Sequence, residues 1–118
     1  MHAIATTLVI VIAALHGYFL VLEMFLWTKP AGRRIFRTTE EFAEASRVLA
    51  ANQGLYNGFL AAGLLWGVYL GADGVAVTRF FLACVVVAGV FGGATVNKRI
   101  LIVQALPAAL ALLATVVA

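Results

Sequence analysis

Four long apolar stretches constrain the fold of this chain more than any other feature of its sequence. The chain has 118 residues, of which 64% are hydrophobic and 11% charged, whereas a soluble domain is about half apolar and about a quarter charged. Roughly 20 apolar residues span the hydrocarbon core of a bilayer, which is about 30 Å thick. The sequence therefore predicts an all-α integral membrane protein, a four-helix bundle in a single domain. We place its spans at about 3–27, 48–70, 79–96 and 100–118.

Lys and Arg are distributed unevenly over the three connections between these spans. Of the eight, five lie in the first connection and two in the third, whereas the second holds only Arg79. Because Lys and Arg concentrate in cytoplasmic loops, we expect the first and third connections to face the cytoplasm. Both termini would then lie on the outer side of the cell membrane. The two basic connections contain Lys29, Arg33, Arg34, Arg37 and Arg47, and then Lys98 and Arg99.

Charge and cysteine content exclude several classes of function. The net charge of +3 comes from basic residues at membrane edges, so it does not indicate a nucleic-acid partner. The single cysteine, Cys84, rules out an internal disulfide and a membrane oxidoreductase that uses a C-x-x-C pair. We expect no metal site.

The first apolar run lacks the basic start and the cleavage site of a signal peptide, so we expect it to be retained.

The polar segment before the second span contains a signal for the start of a helix. Thr38-Thr39-Glu40-Glu41 matches the S/T-x-x-E capping box, and neither Pro nor Gly follows before Gly54. The pattern predicts one unbroken helix from near Thr39 to Leu70. At 1.5 Å per residue this helix is roughly 48 Å long, more than a bilayer needs, so its first turns should project into the cytoplasmic interface.

One acidic residue, Glu23, lies inside a predicted span, about one turn from the cytoplasmic end of the first. His16 precedes it by seven residues, so the two side chains lie within about 20° on one helix face and about 10 Å apart along the axis. Ionisable groups at membrane depth are rare and usually functional. Two interpretations stay open for each residue: part of a ligand or proton-transfer site, or a paired or hydrogen-bonded side chain that serves packing.

The second span carries four hydrogen-bonding side chains on one arc of about 140° of a helical wheel. Arg47, Gly54 and Gly58 lie on the opposite side. The glycine side suits close helix packing, as does Gly89-x-x-x-Gly93 in the third span. The four side chains either line a ligand site or join helices through hydrogen bonds. They belong to Asn52, Gln53, Tyr56 and Asn57.

The polar residues of different spans share one predicted depth. Glu23 is near the cytoplasmic end of the first span, the amides of the second begin there, and Gln104 comes early in the fourth. Pro107 should kink the fourth helix or free a carbonyl. Apart from Tyr69, the outer half of the predicted bundle is nearly all apolar. We therefore expect a pocket open to the cytoplasm that binds an amphipathic small molecule, its polar head toward the cytoplasm and its lipophilic body above.

Two segments carry a resemblance that extends over nearly the whole chain. They are Leu22–Trp27 (LEMFLW) and Asn52–Ala61 (NQGLYNGFLA). Together with the VxAGxxG pattern of the third span and Val103–Pro107 (VQALP), they resemble a family of small four-span proteins of unknown function, domain of unknown function 1304. The resemblance implies a four-helix membrane fold and brings no known activity.

The stretch from Gly32 to Val48, with the following Ala51-Asn52-Gln53, is similar to a second family, the membrane-associated eicosanoid and glutathione metabolism proteins. That resemblance implies four spans, outer termini and a homo-oligomer, in particular a trimer, which binds glutathione or a lipophilic ligand between subunits. It points to Arg47, Asn52 and Tyr56 as ligand-facing residues. It leaves the cofactor open, with glutathione as one candidate. The sequence departs from that family at Ser46, where an acidic residue usually precedes the Arg.

Three functions fit these features, and the sequence leaves open whether the protein is an enzyme. It would bind or convert a lipophilic molecule, with Arg47 holding an anionic head group while Glu23 and His16 transfer a proton. Alternatively, Glu23 would serve a small proton-coupled exporter similar to the small multidrug resistance transporters. As a third alternative, the polar residues would serve helix association in a non-catalytic assembly protein. The candidate ligand-binding residues are His16, Glu23, Arg47, Asn52, Gln53, Tyr56, Asn57 and Gln104.

Overall fold

A computed structural model of the chain describes residues 1–117, and over that range it is all-α, as predicted, with six α-helices and no β-strand. Ala118, the end of the predicted fourth span, lies outside the described residues. The helices are α1 (Ala3–Met24), α2 (Pro30–Phe36), α3 (Glu40–Ala45), α4 (Arg47–Tyr69), α5 (Val75–Thr95) and α6 (Leu106–Val116). A 3-10 turn, Gly71–Gly74, precedes α5, and a π-helical segment, Leu101–Ala105, precedes α6.

Within residues 1–117, two helical stretches are long and apolar enough to cross a membrane: α1, with 22 residues, and Gly71–Thr95, with 25. They correspond to the predicted first and third spans and favour a membrane location. Leu101–Val116 forms a shorter apolar helix. Helix α4 has 23 residues, but the polar side chains between Asn52 and Asn57 make it less apolar. The second and fourth spans, and the orientation of the termini, stay predictions.

Helix α2 is absent from the sequence-based prediction, although Pro30 marks its start. Proline is favoured in the first turn of a helix, where its missing N–H has no helical partner to lose. The helix ends at Arg37, which adopts a left-handed conformation with φ 56° and donates its N–H to the Arg33 carbonyl. The Thr38 N–H bonds to the same carbonyl at 3.0 Å. These two bonds close α2 and lead the chain into α3.

The prediction of one unbroken helix from Thr39 to Leu70 is wrong at a single residue, Ser46, which separates α3 from α4. Thr39 does cap α3, since its hydroxyl accepts a hydrogen bond from the Phe42 N–H at 3.1 Å. Ser46 has φ −100° and ψ 7°, and its hydroxyl donates to the Phe42 carbonyl at 2.6 Å. A serine bonded to the carbonyl four residues earlier bends a helix, which accounts for the interruption.

The described residues form two compact units, one of Met1–Ala13 with the residues from Ala62 onward, the other of Ala14–Ala61. In the first unit, α5 approaches the π-helical segment closely. A Cβ added at Gly89 would lie 2.5 Å from the Ala105 nitrogen, and one at Gly93 would lie 2.3 Å from Leu101 Cγ. The prediction that the small residues of the third span form a packing face is therefore confirmed.

Pro107 explains the π-helical segment that precedes it. Proline has no N–H to donate to the carbonyl four residues earlier, here that of Val103. The turn ahead of it is wide, because the Leu106 N–H bonds to the Leu101 carbonyl, five residues back. The disturbance predicted at Pro107 thus takes the form of a widened turn.

The one basic residue of the second predicted connection, Arg79, contacts the end of α6. Its guanidinium donates to the Thr115 hydroxyl at 3.1 Å and to the Thr115 carbonyl at 2.7 Å. The His2 ring lies 2.8 Å from the Ala114 carbonyl in the same unit. These contacts supply partners for carbonyls that the last turn of a helix leaves without donors.

Candidate functional site

The structure brings together two of the predicted site residues, Glu23 of α1 and Asn57 of α4, both in the unit Ala14–Ala61. The Asn57 side-chain amide donates a hydrogen bond to Glu23 Oε1 at 2.5 Å. Asn57 is 5% exposed, and Glu23 is half-buried. An amide and a carboxyl from two helices therefore form one polar pair, one residue before the end of α1.

Two glycines of α4 allow this close approach to α1. A Cβ added at Gly54 would lie 2.7 Å from Met24 Cγ, 3.1 Å from Glu23 Cβ and 3.2 Å from the Leu20 carbonyl oxygen. One added at Gly58 would lie 2.5 Å from Leu20 Cδ1. The predicted glycine side of α4 is thus a packing face, and it holds the backbone close enough for the short Asn57 side chain to reach Glu23.

Asn57 donates to one oxygen of the Glu23 carboxyl, Oε1. The Glu23 side chain is only half-buried. A carboxyl group can accept bonds at both oxygens when it is ionised and can donate one when it is protonated. A half-buried carboxyl of this kind can therefore still take up a proton, a cation or a hydrogen-bond donor from outside the chain.

Asn57 can pair with either protonation state of the Glu23 carboxyl. Its amide nitrogen donates to Glu23 Oε1, an arrangement that suits an ionised carboxyl. After a half-turn of the amide, its oxygen would accept from a protonated carboxyl. The partner of Glu23 is thus a group that tolerates gain and loss of a proton at this position, which a Lys or Arg partner would not.

His16 lies two turns before Glu23 on α1 and is fully buried. Its ring packs edge-on against Phe19, with ring centroids 5.5 Å apart and an interplanar angle of 74°. His16 is therefore packed inside the unit Ala14–Ala61. This environment is consistent with the interpretation that His16 is a packed, hydrogen-bonded side chain.

The predicted polar arc of α4 divides into a buried part and an exposed part. Asn52, Gln53 and Tyr56 are exposed, and Asn52 donates to the Val48 carbonyl of its own helix at 3.0 Å. Asn57 lies at the edge of the arc, about 60° from Gly54 on the helical wheel, and is buried with the glycine side. Among these four residues, Asn57 is the one that the fold joins to Glu23.

The two remaining candidates lie elsewhere. Arg47 is exposed and forms an ion pair with Glu44 at 3.5 Å, three residues earlier in the chain. Gln104 belongs to the other compact unit, where it is half-buried in the π-helical segment. Among the described residues, no three His, Cys, Asp or Glu side chains are grouped closely enough to hold a metal ion.

The sequence-based prediction missed a cluster that follows Glu23. The Trp27 indole donates to the Ser46 hydroxyl at 3.0 Å, and the Trp27 ring packs on Phe36 with centroids 5.0 Å apart. Tryptophan carries one N–H that normally finds a partner when it is buried, and this is the signal that could have suggested a bond. The cluster ties the end of α1 to α2 and to the Ser46 break.

Comparison with known proteins identifies relatives of this chain without a known activity. Residues 10–116 match a family described as protein of unknown function (DUF1304). The chain is also 31% identical over 100 residues to the uncharacterized protein YpaA of Lactococcus lactis subsp. lactis, a match that covers 83% of this chain and 84% of YpaA. No solved structure matches the chain.

Proposed function

The chain belongs to the DUF1304 family of proteins of unknown function, and we propose that it binds an amphipathic small molecule in the membrane beside Glu23. The observation that carries this proposal is the Glu23–Asn57 pair, in which Asn57 donates to one oxygen, Oε1, of a carboxyl that is only half-buried. Polar groups at membrane depth need partners, because hydrocarbon supplies none. A ligand whose head group approaches the Glu23 carboxyl satisfies that requirement.

The depth of the pair suits a ligand that lies at the membrane boundary. Glu23 is the penultimate residue of α1, and four of the five basic residues of the first connection follow within Lys29–Arg37. In a multi-pass protein with this connection on the cytoplasmic side, the carboxyl lies about one turn inside the inner leaflet. An amphipathic molecule would place its head group there and its lipophilic body along the apolar part of α1.

The contacts favour a head group that is cationic or donates hydrogen bonds. Glu23 offers an acceptor, whereas Arg47, the cation first expected to hold an anionic head group, is ion-paired with Glu44 on the surface. Glutathione, which carries two carboxylates, matches that acceptor less well than a lipophilic amine does. An amine would form a charge-assisted hydrogen bond with the Glu23 carboxylate.

A long-chain amine therefore tests the proposal. Decylamine is titrated into the full chain reconstituted in phosphatidylcholine nanodiscs, and binding is followed by calorimetry with decanol as the uncharged analogue. We expect saturable binding of decylamine that Glu23→Gln weakens by at least tenfold. Glu44→Gln is the matched control, since Glu44 is an exposed acid of the same unit with a different partner. Equal binding by the two variants would contradict the proposal.

The same pair supports a second candidate function, proton-coupled exchange. The specific observation is that the partner of Glu23 is a side-chain amide, a group that can bond to the carboxyl in either protonation state. Exchange predicts that decylamine binding releases a proton from Glu23, measured as acidification of a weakly buffered suspension. Binding without proton release would favour a simple binding protein, and release that survives in Glu23→Gln would exclude Glu23 as the proton carrier.

The exposed side of α4 provides the basis for a homo-oligomer. Asn52, Gln53 and Tyr56 would contact lipid in a single copy, and in a symmetric assembly they would face a second copy instead. The trimer implied by the second resemblance stays a prediction, which native mass spectrometry of the detergent-solubilised protein tests directly. If Glu23→Gln altered only the number of subunits and not amine binding, Glu23 would serve assembly.

A further inference from the structure

A second polar feature, separate from Glu23, lies in the chain directly after α1. The segment Lys29–Arg37, hereafter the basic segment, contains four cationic side chains within nine residues and no acidic one. It includes α2, whose last turn carries Arg33 and Arg34. The net charge of the whole chain is +3, so the basic segment alone carries more positive charge than the complete protein.

The cations of the basic segment form no ion pair within residues 1–117. Among residues 1–117, the single ion pair joins Arg47 to Glu44. Lys29, Arg34 and Arg37 are exposed and have no carboxylate partner in that part of the chain. Arg33 is the exception in part, because its Nε donates to the Thr28 carbonyl at 3.2 Å. Three cations are therefore free to bind an anion outside the chain.

Arg37 occupies a backbone position that does not suit arginine. Its φ of 56° lies in the left-handed region, where glycine or asparagine is the usual residue at the end of a helix. A side chain with a Cβ costs roughly 1 kcal/mol there. The backbone conformation at the end of α2 therefore does not explain why residue 37 is an arginine. Its guanidinium group requires a separate explanation.

Exposed apolar side chains lie next to the basic segment and within it. Phe25, near the end of α1, is 65% exposed, and Ile35, within α2, is 40% exposed. Cations beside exposed aromatic and aliphatic groups are characteristic of a segment that lies in the headgroup region of a bilayer. The adjacent helix α1 is long and apolar enough to cross that bilayer, which holds the segment at its surface.

We propose that the basic segment binds the phosphates of anionic phospholipids, with Arg34 and Arg37 as the main contacts. A guanidinium pairs with phosphate through two parallel hydrogen bonds, and clustered basic residues next to a membrane helix attract anionic lipid. The inference rests on membrane insertion of α1 but not on the Glu23 site. Loss of lipid selectivity in this segment and loss of amine binding at Glu23 are therefore separate results.

Fluorescence quenching of Trp27 provides the test. The chain has two tryptophans, so Trp66→Phe leaves Trp27, two residues before Lys29, as the only one. The full chain is reconstituted with brominated phosphatidylglycerol or brominated phosphatidylcholine, and the relative binding constant is obtained from quenching of mixtures. We expect selectivity for phosphatidylglycerol that falls by a factor of about five when Arg34→Gln removes one cation and falls further in Arg34→Gln/Arg37→Asn.

Asparagine at position 37 tolerates the left-handed conformation, so the double variant keeps the end of α2. Arg47→Gln is the control for the single variant, because Arg47 is an exposed cation of the same unit that is already paired with Glu44, and its loss should leave the selectivity near Trp27 unchanged. Selectivity should also fall in 0.5 M NaCl. Equal selectivity in all variants would overturn the proposal. Displacement of phosphatidylglycerol by millimolar inorganic phosphate would overturn the assignment to lipid and indicate a site for a soluble anion.

Discussion

Asn57 of α4 donates a hydrogen bond to Glu23 of α1, 34 residues earlier in the chain. Both side chains would be costly in hydrocarbon without a partner. Gly54 and Gly58 flank the bond on α4 and bring the two helix backbones close. The pair is therefore a packing contact that also contains a half-buried carboxyl group, and substitutions can separate the packing role from a binding role.

Removal of the Asn57 amide should destabilise the protein. In Asn57→Leu, Glu23 Oε1 loses its donor in a poorly hydrated position, and we expect the free energy of unfolding to fall by about 1–2 kcal/mol. Asn52→Leu is the control, because Asn52 is exposed and bonds only to its own helix. Unfolding in mixed micelles with increasing dodecyl sulphate, followed by circular dichroism, measures both. A loss in Asn52→Leu as large as that in Asn57→Leu would contradict the assignment.

Alanine at two glycines should have opposite effects. At Gly89 a Cβ would lie 2.5 Å from the Ala105 nitrogen, a backbone atom that cannot move away by a change of rotamer. At Gly17 nothing lies within 4 Å of an added Cβ. We expect Gly89→Ala to cost about 1–3 kcal/mol through overpacking. Gly17→Ala should be neutral or stabilise by up to about 1 kcal/mol, since alanine favours a helix. Thermal unfolding midpoints in detergent provide the comparison, and similar midpoints for the two variants would be the contrary result.

The Ser46 hydroxyl should contribute more to the stability of the fold than a hydroxyl that is bonded only within its own helix. Ser46→Ala removes the acceptor of the Trp27 indole and the bond to Phe42 together, and we expect a loss of about 1–2 kcal/mol. Thr95→Ala is the matched control, because the Thr95 hydroxyl donates only to the Phe91 carbonyl, four residues earlier. The Trp27 emission maximum should move in Ser46→Ala alone, and an unchanged spectrum would show that the Trp27–Ser46 bond is absent.

Arg37→Gly should raise stability and lower lipid selectivity. Glycine adopts φ 56° without the cost that a Cβ imposes, so we expect a gain of roughly 1 kcal/mol in the free energy of unfolding. Loss of the guanidinium should reduce the preference for phosphatidylglycerol measured at Trp27. Opposite signs in the two measurements would identify Arg37 as a residue kept for binding, whereas a fall in both would point to a structural role.

The helices could largely be predicted from the sequence, because apolar length and glycine spacing are local properties. The packing role of Gly89 and Gly93 followed from their spacing of four residues, and the start of α3 followed from the Thr39 cap. The break at Ser46 could not be predicted, since it depends on a hydroxyl that bonds to Phe42 and accepts from a distant Trp27. Helix α2 was missed because a seven-residue helix leaves too short a pattern to detect.

By itself, the sequence determined that long apolar helices form and that one of them contains an ionisable side chain, Glu23. The sequence left two interpretations open for Asn57. A residue about 60° from Gly54 on a helical wheel can belong either to the polar arc or to the glycine side of α4. Only the tertiary structure decided between them, by seating the glycine side of α4 on α1 and burying Asn57 against Glu23 while Asn52 and Gln53 stayed exposed. The physical reason is that periodicity gives the direction of a side chain around its own axis, whereas burial depends on where the neighbouring helix lies.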